Sequence, residues 1–340
     1  MSQARLPRKR AKARLGDILP IALLVPAVAG AACRSFKEDP VDDAGAGNLA
    51  ASSAVDARAR CDAATPFGEP VPVLGLWTIG AVSVDGLRLS ASYTTGFFQA
   101  SGRSDSRGGF DLYMATRAGL DSPFESVMPI LGGPYINTSY DEMDPSVSGN
   151  GLTLVFSRAD VGLNPAHLYQ AARVENTFTG VQLVPNVNGD PGVTDQNPFL
   201  LEDGKALYFA SSRNPQNSTD IYRAAWSGSS FEAPVPVRDI NEISSELDPV
   251  VTPEDSTIYF ASDRSDGRPR NSSDVWIPNL DIWVATRISA NGFSTPRNVS
   301  ELNTAAQETP TFVSSDGCTL YFTSTRSGTL GPYVATKRPP

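Results

Sequence analysis

Short apolar runs of alternating polarity recur along this chain in a constant order, and the recurrence predicts strands rather than helices. Three segments align almost position for position: TDQNPFLLEDGKALYFASSR (194–213), SELDPVVTPEDSTIYFASDR (245–264) and AQETPTFVSSDGCTLYFTSTR (306–326). Each has an acidic or polar opening, a proline, an apolar strand, a turn, a Tyr-Phe strand and a closing Ser-x-Arg. A fourth copy, DEMDPSVSGNGLTLVFSR, begins at Asp141, and a degenerate fifth, GAVSVDGLRLSAS, begins at Gly80. A third strand follows each copy, at DLYMATR (111–117), HLYQAAR (167–173), DIYRAAW (220–226), DIWVATR (281–287) and PYVATK (332–337). A last segment opens on Phe67, Phe124, Phe178, Phe231 or Phe293, at spacings of 57, 54, 53 and 62.

Four strands in a unit of about fifty-five residues match one blade of a β-propeller. The expected fold is therefore all-β, a single five-bladed β-propeller of four-stranded antiparallel blades. The blades fall near 78–130, 141–184, 194–237, 246–299 and 307–337, within a domain spanning 65–340. The strand beginning at the proline is innermost and the Phe-opening segment outermost. Because the chain starts with an outer segment and ends on a third strand, the ring should close by pairing 67–73 onto the last blade, which removes unpaired edges. Asp203-Gly204, Asp316-Gly317, Asp85-Gly86 and Asn150-Gly151 supply the positive φ of tight hairpins between first and second strands, whereas Asp255-Ser256 predicts a looser turn. Leu207/Phe209, Ile258/Phe260 and Leu320/Phe322 should face one neighbouring blade, and Tyr208, Tyr259 and Tyr321 the other.

Composition supports the same picture and adds a location. With 28 Gly and 27 Pro in 340 residues, turns are frequent and long helices few. Arg5, Arg8, Lys9, Arg10, Lys12 and Arg14 precede an apolar run from Ile18 to Ala32, the pattern of an export signal over 1–32. Ala29-Gly30-Ala31 fits an ordinary cleavage site, while Gly30-Ala31-Ala32-Cys33 resembles a bacterial lipobox, which would make Cys33 a lipidated N-terminus. Residues 33–64, rich in Ala, Asp, Gly and Ser, read as a flexible tether. Residues 1–32 carry six basic residues and one acidic one, so their removal takes the formal charge from −9 to −14. That charge argues against nucleic-acid partners and leaves the N-terminal lipid as the membrane contact. The expected location is the periplasm, the cell exterior or the outer membrane, and the expected state a monomer.

The acid-x-x-Pro opening, the Asp-Gly turn, Tyr-Phe-x-Ser-x-Arg and Asp-Ile-Tyr together resemble the TolB-type, WD-like propeller repeat over residues 66–337. The resemblance implies a periplasmic or surface propeller that binds other macromolecules. The residues themselves leave chemistry to be weighed. Glu142, Asp144, Asp195, Glu246, Asp248 and Glu308 precede the inner strands near one mouth of the channel, where carboxylates serve some glycosidases as acid and base. Their recurrence instead predicts a structural set, with Asp144, Asp195, Asp248 and Glu308 accepting bonds from backbone N–H groups or from Arg213, Arg264 and Arg326. His167 is the single histidine, there is no Gly-x-Ser-x-Gly elbow, and His/Cys zinc ligands are lacking. Asp263, Asp266 and Asp274 offer oxygen atoms to calcium without a recognisable loop pattern. No cofactor and no metal are expected.

The expectation is a non-catalytic binding propeller engaging a protein or an envelope, cell-wall glycan, the alternative being a glycan-active hydrolase or lyase using the channel carboxylates. Candidate binding residues are Trp276 and Ile277 in the insertion SDGRPRNSSDVWIPNL from Ser265, and Phe97-Phe98 in what the repeat places as the matching hairpin of blade one. For each pair, packing back onto the blade is the competing reading. Cys61 and Cys318, left as a pair if Cys33 is lipidated, fall at the same end of the closing blade and should form a disulfide.

Overall fold

A computed structural model of the chain describes residues 60–132, 135–159, 165–215, 219–265, 280–290 and 292–337. Its strands form five sheets arranged as a ring of blades. Blade one is β2 (Ser83–Leu89), β3 (Thr95–Ser101), β4 (Phe110–Thr116) and β5 (Glu125–Pro129). Blade two is β6 (Asp141–Val147), β7 (Thr153–Ala159), β8 (Ala166–Val174) and β9 (Thr177–Leu183). Blade three is β10 (Asp195–Leu200), β11 (Ala206–Ser211), β12 (Asp220–Ala225) and β13 (Val235–Pro236). Blade four is β14 (Glu246–Val251), β15 (Thr257–Ser262) and β16 (Asp281–Ser289), with an outer edge broken into β17 (Gly292–Phe293) and β18 (Arg297–Asn298). Pro296 lies in that break, where it has no N–H to give to a ladder. Blade five is β19 (Glu308–Val313), β20 (Thr319–Ser324) and β21 (Gly331–Thr336). Its fourth strand comes from the other end of the domain: β1 (Val71–Pro72) pairs antiparallel with β21, Val71 opposite Val334.

Side chains alternate between the two faces of each blade, so the core lies between blades rather than within them. Leu207 and Phe209 pack toward blade two with Val155 and Leu168, while Tyr208 on the opposite face joins Val250, Ile258 and Tyr259 of blade four. The inner strands share an irregularity that no repeat alignment displays. Each is out of step with its partner by one residue, and the residue that absorbs it has positive φ in four blades: Gly86, Asp144, Asn197 and Asp248. In blade five this position holds Pro310, whose ring forbids positive φ, and the ladder shifts between Pro310 and Phe312 instead.

That bulge corrects the reading of blade one. Asp85-Gly86 is not a hairpin turn, because its positive φ is used inside β2. The turn comes later, with Tyr93 N–H donating to the Ser90 carbonyl at 2.8 Å and Tyr93 at φ 58°. Phe97 and Phe98 consequently sit in β3, in the places of Tyr208 and Phe209, and are 3% and 0% exposed. They are core residues packed against blades two and five, not a loop available to a partner. Asp255-Ser256 is also tighter than expected. Asp255 takes φ 57° in the same turn as Gly151, Gly204 and Gly317, and its carboxylate accepts bonds from Tyr208 and Arg287.

Closure is secured well beyond two ladder residues. Cys61 and Cys318 form a disulfide with Cα atoms 5.0 Å apart, and Cys61 N–H donates to the Asp316 carbonyl at 3.0 Å. Lys337, fully buried after β21, donates to the Asp62 carbonyl at 2.9 Å and the Tyr259 hydroxyl at 3.1 Å, above the ring of Phe67. Burial pushes its ammonium down to about 8. The disulfide closes a separation of 257 residues, so Cys318→Ser should cost as much as about 5 kcal/mol in the chain-entropy limit. Thermal melts should show the variant and the dithiothreitol-treated wild type lowered together; a wild type indifferent to reductant would contradict this.

Candidate functional site

Two kinds of acidic position, adjacent in the sequence but different in role, stand at the start of the inner strands. The first comprises Glu142, Asp195, Glu246 and Glu308, all fully buried. Each is held by an arginine of its own blade. Arg158 Nε meets Glu142 at 2.9 Å, Arg213 Nη2 meets Asp195 at 2.6 Å, Arg264 Nη2 meets Glu246 at 2.9 Å, and Arg326 Nη2 meets Glu308 at 3.2 Å. The guanidinium also caps a loop carbonyl, of Ile136, Val187, Ile240 or Leu302. It lies over two aromatic rings of strands two and three: Phe156 and Tyr169, Phe209 and Tyr222, Phe260 and Trp283, or Phe322 and Tyr333. Burial raises Glu142 and Glu246 above the ordinary carboxylate range, against the pull of their hydrogen bonds and arginines. These are braces that fasten the inner strand to the rest of its blade.

The sequence repeat missed the loop partner of this brace, although it is legible as a recurring apolar-Asn pair. Ile136-Asn137, Val187-Asn188, Ile240-Asn241 and Leu302-Asn303 each bury the apolar residue. The Asn side chain accepts from and donates to one backbone unit of the preceding third strand, at Leu112, Leu168, Ile221 or Ile282.

Asp144 and Asp248 belong to the second kind of position. They sit two residues further on, at the bulge, so the expectation that groups them with Asp195 and Glu308 as one equivalent set is corrected. Repeat alignment conceals this because blades two and four have acids at both places. At the ring axis they join Asp85 and Arg88, which the slipped alignment of blade one hid. Arg88 is 4% exposed, lies within the field of Asp248, Asp144 and Asp85, and reaches the ring of Phe199 in blade three, 4.9 Å from its centroid. Burial holds Arg88 down to about 10. Asp144 Oδ2 accepts from Ser157 Oγ at 3.1 Å and from Asn197 N–H at 3.3 Å, and Gln99 Oε1 accepts from Asp144 N–H. Asp85 accepts from Gly86 N–H at 2.6 Å and Gln99 Nε2 at 3.4 Å. Burial, reinforced by neighbouring carboxylates, pushes Asp144 up to about 6 and Asp248 well above its usual value; burial also raises Asp85.

Among the described residues no group of three or more His, Cys, Asp or Glu is arranged to hold a metal ion. Asp263 accepts from Ser245 N–H at 2.8 Å, while Asp266 and Asp274, like Trp276, Ile277 and Cys33, lie outside the described residues. No protein-family model matches the chain, and no curated protein matches it. Solved structures similar to it include TolB from Acinetobacter baumannii, 15% identical with a TM-score of 0.44, covering 79% of this chain. The chain spans 63% of the length of that TolB. A putative TolB from Agrobacterium tumefaciens is 15% identical over 75% of this chain and 90% of its own, with a TM-score of 0.39. An α-L-arabinofuranosidase from Podospora anserina is 12% identical over 79% of this chain and 96% of its own, with a TM-score of 0.44. Each of these is a likeness of overall fold.

Two outcomes follow from the two kinds of acid. Arg264→Met leaves Glu246 buried without its charge partner and should cost roughly 3–5 kcal/mol in urea unfolding; a loss below about 1 kcal/mol would show the brace to be dispensable. Asp144 holds its proton more tightly when folded, so its contribution to stability is present below about pH 4 and is lost as pH rises through about 6. Asp144→Asn should therefore melt higher than wild type at pH 7.5 and equal it near pH 4, with the difference opening across that window.

Proposed function

We propose that this chain is a non-catalytic binding propeller, exported and held on an N-terminal tether, that presents one end of its ring to a protein or an envelope glycan. The observation that carries the reading is the commitment of the recurrent acids. Glu142, Asp195, Glu246 and Glu308 are each engaged by an arginine and by a loop N–H, such as Thr304 N–H on Glu308 at 2.9 Å and Gly189 N–H on Asp195 at 2.7 Å. A carboxylate so held is a poor proton carrier, since catalysis would have to break the brace. The basic and apolar N-terminal segment supports export, and Cys33 supports a lipid anchor.

One observation favours a second reading, a glycan-active hydrolase or lyase. Asp144 and Asp248 face the axis in unlike surroundings, and burial raises both, Asp144 to about 6 and Asp248 well above its usual value; unlike environments are what an acid and base pair requires. Incubating the full-length protein with envelope polysaccharides between about pH 5 and pH 7, and measuring reducing ends, separates the two. The binding reading expects none above background. Product formed by wild type and lost in Asp144→Asn or Asp248→Asn, with the fold intact by thermal melting, would establish the enzyme instead.

A further inference from the structure

The polar groups at the ring axis are not all accounted for by the protein. Arg88 Nε and Nη1 meet no hydrogen-bond partner among the described residues, and neither do Asn197 Oδ1 or Thr311 Oγ1. Buried polar groups in folded proteins are nearly always paired, and an unpaired charged donor is the costliest exception. The unpartnered set contains charged donors, one carbonyl acceptor and one hydroxyl. A simple cation would satisfy the acceptors and leave Arg88 bare. An anion would meet Arg88 but face three carboxylates, Asp85, Asp144 and Asp248. Hydroxyl groups both donate and accept, and they add no charge, so they suit every member of the set.

The place of this cluster in the fold adds a second chemistry. Asp144 is the fourth residue of β6, so it lies about 10 Å from the start of that strand. The loop that delivers the chain to that start ends on Tyr140, 38% exposed, and contains Tyr135, 71% exposed. Every outer-to-inner connection arrives at this same end of the ring, so the tyrosines stand at the end where the inner strands begin. An exposed aromatic ring beside convergent polar groups offers an apolar face together with hydrogen bonds. A pyranose has that same combination, with C–H groups on its faces and hydroxyls around its rim.

We propose that this mouth of the channel binds a neutral saccharide, with hydroxyls engaging Arg88, Asn197 and the axial carboxylates while Tyr140, flanked by Tyr135, stacks on a sugar face. This names the ligand class of the binding-propeller reading and rests on it. The test is calorimetric titration of the full-length protein with chitotriose and, separately, xylotriose. At least one should bind saturably and retain its affinity in about 0.5 M NaCl, since the ligand is uncharged. Tyr140→Ser, a surface change compatible with folding, should weaken binding about tenfold or more. Asp144→Asn, checked for an intact fold by its melting temperature, should also weaken it. Absence of saturable binding by either sugar up to millimolar concentration, meaning that water alone fills the axis, would overturn the proposal. So would binding abolished by salt, or binding indifferent to both variants. Sugar released as product in the same mixtures would refute the non-catalytic reading while leaving the saccharide site standing. Failure of both sugars to bind would refute the site while leaving a protein as the partner of the propeller.

Discussion

Every blade of this ring has two apolar faces, and each face finds its cover only on the next blade. Phe98 of blade one packs toward blade five, and Phe97 beside it packs toward blade two. No blade can therefore stand at the end of a stack without exposing a full row of core side chains, and the chain must bring its two ends together. The details of the closing blade follow from this requirement. A two-residue ladder between β1 and β21 is too little to hold a ring, and it is reinforced by the disulfide, by Val73 and Leu76 in the shared core, and by Lys337 reaching over the ring of Phe67.

A second layer of interblade ties uses the cation that ends the third strand in every blade but the third. Arg117 reaches the hydroxyl of Tyr321 in blade five at 3.2 Å, Arg287 reaches Tyr208 in blade three at 2.7 Å, and Lys337 reaches Tyr259 in blade four. Where the preceding blade lacks that hydroxyl the tie is absent. Phe97 takes the place of the tyrosine before Arg173, which turns to the Glu175 carbonyl, and Val155 takes it before Trp226. Residues in different blades are thus matched in pairs, and a hydroxyl buried at these seams has a donor ready for it.

Symmetry and its breaking divide the molecule into scaffold and candidate site. Braces, loop asparagines and Tyr-Phe strands repeat because each does the same mechanical task in its blade. The axis does not repeat, because five strands meeting at one line cannot all place a side chain there. Blade one contributes Arg88 and Asp85, blades two and four contribute Asp144 and Asp248, blade three contributes Asn197, and blade five has Pro310 at the bulge. Unlike surroundings let buried carboxylates of one kind acquire different proton affinities, which repeated positions would not.

Periodicity was enough to read the blade count, the order of strands and the segment that closes the ring, since alternation and turn chemistry are local properties of the chain. The same local reading failed where one signal serves two structures. Asp85-Gly86 offers positive φ equally to a turn and to a bulge, and only the pairing of β2 with β3 chooses between them. That choice moved Phe97 and Phe98 from a loop into the core and brought Arg88 to the axis. Asp144 and Asp248 likewise parted from Asp195 and Glu308 because two residues along a bulged strand exchange the inside of a blade for the channel. What the sequence determined alone was the repeated scaffold, whose interactions recur at fixed spacing. The axial cluster was decided by tertiary structure, because its members come from five separate repeats and converge only when the ring closes.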